Sequence, residues 1–235
     1  MGSPLKAIKR IGRQAVIRLI PSEIRRRLVV RFPGLPVTPY SKGEASAKFD
    51  GSTWERFYAN HDPYNLSTND YEHIKYQRTL DCIGDGPFKR ALEVGCSVGV
   101  FTEMLAPRCE ELLAIDISEN AIKQAQARTA ALPQVIYERR VLPREMPEGP
   151  FDLIICSDTL FYWPRESLLE AVRAFEDILA PGGRVVALHY IEEIEPGAPM
   201  DGHAVHDLLK EEFRLENTFS KEYEKYRLDR FEKPE

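Results

Sequence analysis

From residue 90 to the end, short apolar runs alternate with segments of helical periodicity, and no other property of the 235-residue chain restricts its fold as much. The runs ALEV (91–94), ELLAID (111–116), VIYERR (135–140), FDLIICS (151–157) and RVVALHY (184–190) have the length of strands buried on both faces. Between them lie helical patterns at 99–106, 119–130 and 166–179, the last stopped by the Pro181-Gly182-Gly183 turn, and a further helix is expected at about 203–212. Such alternation builds βαβ units, whose crossovers place helices on both faces of a parallel sheet. The tail FRLENTFSKEYEKYRLDRFEK alternates apolar and polar residues and turns near Ser220–Glu222, which predicts a terminal antiparallel strand pair at the sheet edge. The fold class is therefore α/β: a doubly wound, mostly parallel, seven-stranded sheet with an antiparallel terminal strand, preceded by a helical extension.

That extension is chemically unlike the rest. Residues 1–31 carry nine basic side chains against Glu23 alone, a net of +8, so the remainder of a chain of net charge −5 carries −13. So acidic a body does not bind phosphate polymers, and nucleic acid is excluded as a partner. Leu5, Ile8, Ile11, Ala15, Val16, Leu19 and Ile20 stand at helical spacing among the cations, with a break near Pro21 and a second short helix capped by Ser22. Two readings stay open: a peripheral foot on an anionic membrane surface, where each Lys or Arg contributes about 1 kcal/mol, or an arm packed on its own domain or a partner subunit. FPGLPVTPYSKGEASAKFDG (32–51) reads as a linker. The expected division is thus an extension over 1–50 and a domain over 51–235, which opens with a short helical piece, turns at Asp62-Pro63, and enters a helix from about Asp70 to Cys82. Cys82, Cys96, Cys109 and Cys156 have no CxxC spacing and no histidine in a zinc pattern, so no metal is expected. The setting predicted is reducing and cytoplasmic, with the inner face of the membrane as the surface the arm would touch.

RALEVGCSVGVFTEML (90–105) carries the first crossover: a strand ending at Val94, then Gly95, Gly99 and a helix. Ligands of open α/β sheets sit beyond the carboxyl ends of the strands. Glycine permits close approach of backbone to ligand and a turn that a Cβ would forbid, and Gly95 and Gly99, with Cys96 between them, are expected to provide both. Asp116 ends the second strand 23 residues after Glu93, and an acid at that spacing accepts hydrogen bonds from both hydroxyls of an adenosine ribose. The loop is not G-x-G-x-x-G, because Ser97 and Val100 occupy the second and third glycine positions, where a pyrophosphate would be crowded. Glu93 would repel phosphates yet accept a bond from an ammonium. A nucleoside bearing an α-amino group and no phosphate meets both conditions, which points to S-adenosylmethionine.

LEVGCSVG resembles motif I of class I S-adenosylmethionine-dependent methyltransferases, LLAIDIS motif II, and FDLIICSDTLFYW motif IV. Within that Rossmann-like superfamily the chain is similar to the nodulation protein S (NodS-like) N-methyltransferases. The resembling stretches are HDPYNLSTNDYEHIKYQRTL, CSVGVFTEMLAPRCEELLAIDIS, LPREMPEGPFDLI and DGHAVHDLL, over about residues 60 to 232. The resemblance implies S-adenosylmethionine as cofactor, held by Glu93, Gly95, Cys96, Gly99, Asp116, Ile117, Val141, Leu142 and Ser157. It also implies N-methylation of an amino sugar in a glycan or lipo-oligosaccharide precursor, a small-molecule or oligosaccharide substrate. Two positions depart from the pattern. Val141 stands where an Asp often reaches the adenine amino group, which leaves the adenine to backbone contacts and packing around Leu142, and Asp158 stands where a Glu is common.

Methyl transfer from a sulfonium is an in-line displacement in which positioning supplies much of the rate. An amine acceptor must be neutral when it attacks, and a hydroxyl needs a base. Asp158 and Tyr162 follow strand four, while His189 and Tyr190 end strand five. His189 is the first choice of proton acceptor because an imidazole titrates near neutral pH, its competing role being a structural histidine at a strand end. Asp158 either holds the substrate amine or caps the next helix, and Tyr162 and Trp163 either stack on a sugar or pack as a lid. His206 is expected to reach the crevice and His203 to face solvent. Tyr64, Asn65 and Tyr71 offer a wall over cofactor or substrate, or plain packing. Two other functions stay open: O-methylation of a sugar or lipid, and a non-catalytic subunit that anchors partners through its basic arm.

Overall fold

A computed structural model of the chain describes residues 51–59, 62–192 and 198–235, so the basic arm and linker expected over 1–50 lie outside the described residues. Helices α1 (Gly51–Phe57) and α2 (Asp70–Ile83) precede β1 (Ala91–Val94). There follow α3 (Val100–Leu105), β2 (Leu112–Asp116), α4 (Glu119–Arg128), β3 (Val135–Arg139), β4 (Phe151–Ser157), α5 (Arg165–Ile178) and β5 (Leu179–Tyr190). Helix α6 (Gly202–Glu212) leads into β6 (Glu216–Glu222) and β7 (Tyr226–Glu232). The strands form one sheet in the order β3-β2-β1-β4-β5-β7-β6, with β1 to β5 parallel and β7 antiparallel to both β5 and β6. The chain moves outward from β1 to β3 and then returns to lay β4 against the other side of β1. That reversal is the topological switch point, and it opens a crevice beyond the ends of β1 and β4.

The apolar runs at β1, β2, β4 and β5 become inner strands because each feeds both faces of the sheet, whereas the run at 135–140, expected to be buried on both faces, forms the edge strand β3 with Ile136 exposed. Ala91, Leu112, Leu153 and Ile155 point into one core with Tyr76, Leu80 and Phe101 from α2 and α3, while Leu92, Ile115, Ile154 and Ala187 join Leu168, Phe175 and Leu209 from α5 and α6 in the other. Helix starts are set locally. The side chains of Asn69, Ser118 and Asp201 accept from the amides of Tyr71, Ala121 and Ala204 at 3.1, 3.2 and 2.8 Å. The end of α2 is set by tertiary contacts, for it has no basic residue in its last turn. Instead Arg108, Arg230 and Arg184 reach the carbonyls of Leu80, Cys82 and Ile83 at 2.7, 2.7 and 2.6 Å, placing positive charge at the negative helix end.

Two further sequence expectations are corrected. Helix α5 ends at Ile178, so Pro181-Gly182-Gly183 does not stop it but forms the irregular start of β5. There Gly182, at φ +69°, donates to the Lys233 carbonyl at 3.0 Å and the Lys233 amide donates to Gly183 at 2.9 Å, tying the C-terminus down. The hairpin between β6 and β7 turns at residues 223–225 rather than at Ser220–Glu222, closed by Tyr223 N to Tyr226 O at 2.8 Å. At this end of the sheet the edge strand is β6, whose residues are mostly exposed, while β7 is buried beside β5. All four cysteines are buried and free. Among the described residues no helix is long and apolar enough to cross a membrane.

Candidate active site

The switch point gathers Glu93, the 95–99 loop, Asp116 and the start of the segment after β4. Glu93 lies on β1 and is 3% exposed, and its Oε2 has no hydrogen-bond partner. Burial pushes its carboxyl up to about 8, with the nearby Asp116 adding to the rise. Asp116 bridges two strand ends: one oxygen accepts from Ser97 N at 2.9 Å and the other from Ser118 N at 2.9 Å. Burial raises it to about 6 against the pull of these amides. Each oxygen keeps a second lone pair, so a ribose diol can be received without breaking the bridge. The Ser97 hydroxyl is also buried without a partner. A buried carboxylate oxygen and a hydroxyl left unsatisfied are what an incoming ammonium and polar ligand would satisfy, so the residues present fit S-adenosylmethionine.

Both glycines adopt the left-handed turn that a Cβ would forbid, and the protein itself crowds them. A Cβ on Gly95, at φ +78°, would stand 2.2 Å from Thr159 Oγ1 and 3.0 Å from its Cγ2. One on Gly99, at φ +79°, would stand 2.8 Å from both Cα and Cβ of Ala125 on α4. The space that a Cβ would need is taken by Thr159 at Gly95 and by Ala125 at Gly99. Thr159 is fixed there because its one hydroxyl proton is shared between the carbonyls of Val94 at 3.1 Å and Ser157 at 2.9 Å, which joins β1 to β4 across the switch point. Ile117 follows Asp116 and lies against Gly51 of α1, and Val141 and Leu142 follow β3 at the same end of the sheet, half-buried. Cys96 is buried and its amide bonds the Ile115 carbonyl at 3.0 Å.

Helix α1 covers this region. Glu55 accepts from Ser118 Oγ at 2.7 Å, Asn120 Nδ2 donates to the Glu55 carbonyl at 3.0 Å, and Gln124 Nε2 donates to the Tyr58 carbonyl at 2.9 Å. Tyr58 is thereby buried, and its phenol is held well above the ordinary value by burial and then by the neighbouring Asp116. Trp54 meets Tyr162 edge to face at 4.7 Å, Phe57 meets Tyr64 at 5.0 Å, and the hydroxyls of Tyr64 and Tyr162 are 3.3 Å apart. The block before α2 is fastened to the glycine loop: Arg128 bonds Val98 O at 3.0 Å and Ser67 Oγ at 2.6 Å, and Ser67 donates to Asp62. Asn65 sits in that block as an exposed residue at φ +53°.

On the acceptor side stands Asp158, at φ +49°. Its Oδ1 accepts from Tyr190 N at 2.8 Å and its Oδ2 from Lys75 Nζ. Lys75 is 2% exposed and also pairs with Glu72 at 2.5 Å. Burial alone would lower its ammonium, but Asp158 and Glu72 outweigh that and raise it. Burial raises Glu72, and the Asp158 carboxylate raises it further against the pull of Lys75. The Tyr71 hydroxyl is buried here without a partner. Two carboxylates share one cation, so the cluster carries net negative charge. Sequence reasoning missed Glu72 and Lys75, although their spacing with Tyr76, Thr79 and Ile83 puts a charged pair on the core-facing stripe of α2.

His189 and His206 are corrected outright. Neither reaches the crevice: both are 0% exposed, and His189 accepts from Leu160 N through Nε2 at 3.2 Å while its Nδ1 faces His206. Burial holds the His189 pKa well below the ordinary range, with His206 and Lys75 adding to the effect, and both ring nitrogens are engaged inside the protein, out of reach of a substrate. His203, by contrast, is exposed, with Nδ1 3.7 Å from Glu222.

A family model described as nodulation protein S (NodS) matches residues 52–214. Nodulation protein S of Bradyrhizobium diazoefficiens is 36% identical over 131 residues, 54% of this chain and 62% of that protein. The Rhizobium tropici protein is 35% identical over 127 residues, 53% of each. The chain therefore spans about half to three fifths of these curated relatives. The crystal structure of the N-methyltransferase NodS from Bradyrhizobium japonicum WM9 in complex with S-adenosyl-L-homocysteine is similar at a TM-score of 0.69 and 28% identity, over 78% of this chain and 98% of that one. With the family match spanning well over half its length, the chain belongs to the nodulation protein S family of methyltransferases and has the Rossmann-like fold of class I.

Proposed function

We propose that the protein is an S-adenosylmethionine-dependent N-methyltransferase whose acceptor is the amine of an amino sugar in a glycan or lipo-oligosaccharide precursor. The observation that carries the reading is the buried Glu93 carboxyl, its Oε2 without a hydrogen-bond partner, beside Asp116 at the switch point. In this reading Glu93 holds the cofactor ammonium, Asp116 the ribose hydroxyls, the backbone of residues 95–99 the methionine portion, and Ile117, Val141 and Leu142 the adenine. Cys96 and Ser157 line the floor. The bound cofactor supplies an electrophilic methyl group. The chain's own task is to hold a neutral amine in line with it and to keep water out.

Asp158, ion-paired with Lys75 yet with 28% of its side chain exposed, is the group placed to accept hydrogen bonds from the incoming amine. The net negative charge of Glu72, Lys75 and Asp158 favours an amine over a carboxylate acceptor. Tyr64, Tyr71 and Tyr162 supply the wall. Calorimetry with S-adenosylhomocysteine tests the cofactor: wild type should bind, and Asp116→Ala should bind at least tenfold more weakly, the loss of a carboxylate-to-diol contact. Wild type that does not bind overturns the proposal. Labelled S-adenosylmethionine with a chitosan oligomer as acceptor, read by mass spectrometry, tests the rest, and a methyl on oxygen overturns the amine assignment. A membrane-surface role for residues 1–31 in a cytoplasmic protein predicts that anionic liposomes float the full chain and not one lacking that arm; equal recovery rules it out.

A further inference from the structure

The last three residues of β5 together hold the segment that follows β4. The Leu188 carbonyl accepts from Asp158 N at 2.8 Å, the Tyr190 amide donates to Asp158 Oδ1 at 2.8 Å, and between them His189 Nε2 accepts from Leu160 N at 3.2 Å. The middle bond depends on a tautomer. A backbone amide can only donate, so Nε2 carries no proton and the ring proton sits on Nδ1. That atom is 3.3 Å from His206 Nε2, which must accept. His206 then carries its own proton on Nδ1, 2.8 Å from Asp229 Oδ2, which accepts. One tautomer of each ring satisfies every link, and all three residues are 0% exposed.

The charges around the chain keep it in that form. Arg227 Nε lies 3.1 Å from Asp229 Oδ2 and Lys210 Nζ 3.8 Å from Oδ1, which hold Asp229 as an anion, while Lys75 opposes a positive charge on His189. Ser220 lies beside Asp229, and Phe161 packs edge to face on His189 at 5.4 Å.

We propose that Asp229, acting through His206 and His189, is a positioning residue for the cofactor crevice. The chain fixes Leu160, and with it the adjacent Thr159, whose side chain fills the space above Gly95 and links β1 to β4. Its effect on cofactor affinity rests on the methyltransferase reading, whereas the chain itself does not.

In the full-length protein labelled with 15N-histidine, His189 and His206 should both appear as Nδ1–H tautomers that do not titrate between about pH 8 and pH 6. An Nε2–H ring, or an imidazolium in that range, overturns the proposal. In S-adenosylhomocysteine calorimetry at about pH 7.5, His189→Gln, whose amide accepts from Leu160 and donates toward His206, should bind within about twofold of wild type. His189→Phe keeps the ring packing but offers Leu160 nothing, and should bind about tenfold more weakly. Val205→Ala truncates a fully buried α6 side chain that makes none of the chain's hydrogen bonds and should lose stability while keeping wild-type affinity. His189→Phe binding like wild type, or Val205→Ala weakening as His189→Phe does, overturns it. If wild type does not bind S-adenosylhomocysteine, the proposed function fails. The chain is then judged by its tautomers and by exchange of the Leu160 amide, which should quicken in His189→Phe and not in His189→Gln. The tautomers, read on the unmutated chain, decide even where a variant fails to fold.

Discussion

Gly95→Ala should destabilise the protein in the complete absence of ligand, because what excludes a side chain there is Thr159. Two costs add. Alanine at φ +78° occupies the left-handed region, at about 1–2 kcal/mol. Its Cβ would then stand 2.2 Å from Thr159 Oγ1, an overpacking of about 1–3 kcal/mol as the threonine is driven off its two carbonyl partners. The single variant should therefore lose about 2–5 kcal/mol of a total stability of about 5–15 kcal/mol. Thr159→Ala alone forfeits the hydroxyl bonds to Val94 and Ser157, about 1–2 kcal/mol. In the double variant the contacts with Oγ1 and Cγ2 are gone and only the backbone cost, the lost bonds and a 3.2 Å approach of the two Cβ atoms remain, so its loss should fall about 1–3 kcal/mol short of the sum. Urea unfolding of the four proteins without S-adenosylhomocysteine measures the cycle. If Gly95→Ala lies within about 0.5 kcal/mol of wild type, or the two losses simply add, the contact with Thr159 is not the reason for the glycine.

Glu93 holds its proton more tightly folded, at about 8, than its ordinary 4.5, so its contribution is fullest below 4.5 and is lost as pH rises toward 8. Glu93→Gln should thus gain stability relative to wild type as urea unfolding is repeated from about pH 6 to pH 8.5, while binding S-adenosylhomocysteine at least tenfold more weakly. Binding by wild type should release a proton, seen as a buffer-dependent heat in calorimetry and absent from Glu93→Gln. Lys75→Met leaves Glu72 and Asp158 facing each other with no cation, a loss of about 3–5 kcal/mol at neutral pH. Glu72 is a raised acid, so the loss in thermal unfolding should shrink as pH falls toward 4.5 and one carboxylate takes up a proton. His189 and His206 have lowered pKa values, so the stability they confer is full above the ordinary 6.5 and is lost as pH falls below it. His189→Gln should show a shallower loss between about pH 7 and pH 5 in urea unfolding, and an unchanged slope would contradict the buried neutral state.

The alternation of apolar runs and helical stripes was enough to specify a parallel α/β sheet with a reversed tail, since burial on two faces leaves a continuous apolar run in the chain itself. The helix starts expected near residues 70, 119 and 203 lie within one residue of those observed, and the structure adds the caps Asn69, Ser118 and Asp201 that set them. Glu93 and Asp116 were legible as a pair by their spacing at two strand ends. What only the tertiary structure decided is which way a polar residue at a strand end faces. His189 reads as a base until α6 and β7 bring His206 and Asp229 against it. Gly95 reads as room for a ligand until the chain after β4 seats Thr159 over it. Lys75 gains its role only when Asp158, 83 residues on, meets it. A strand or a cap is written in neighbouring residues, whereas the charge state and accessibility of a side chain depend on groups the fold brings together from far along the chain. Periodicity carries no record of those partners.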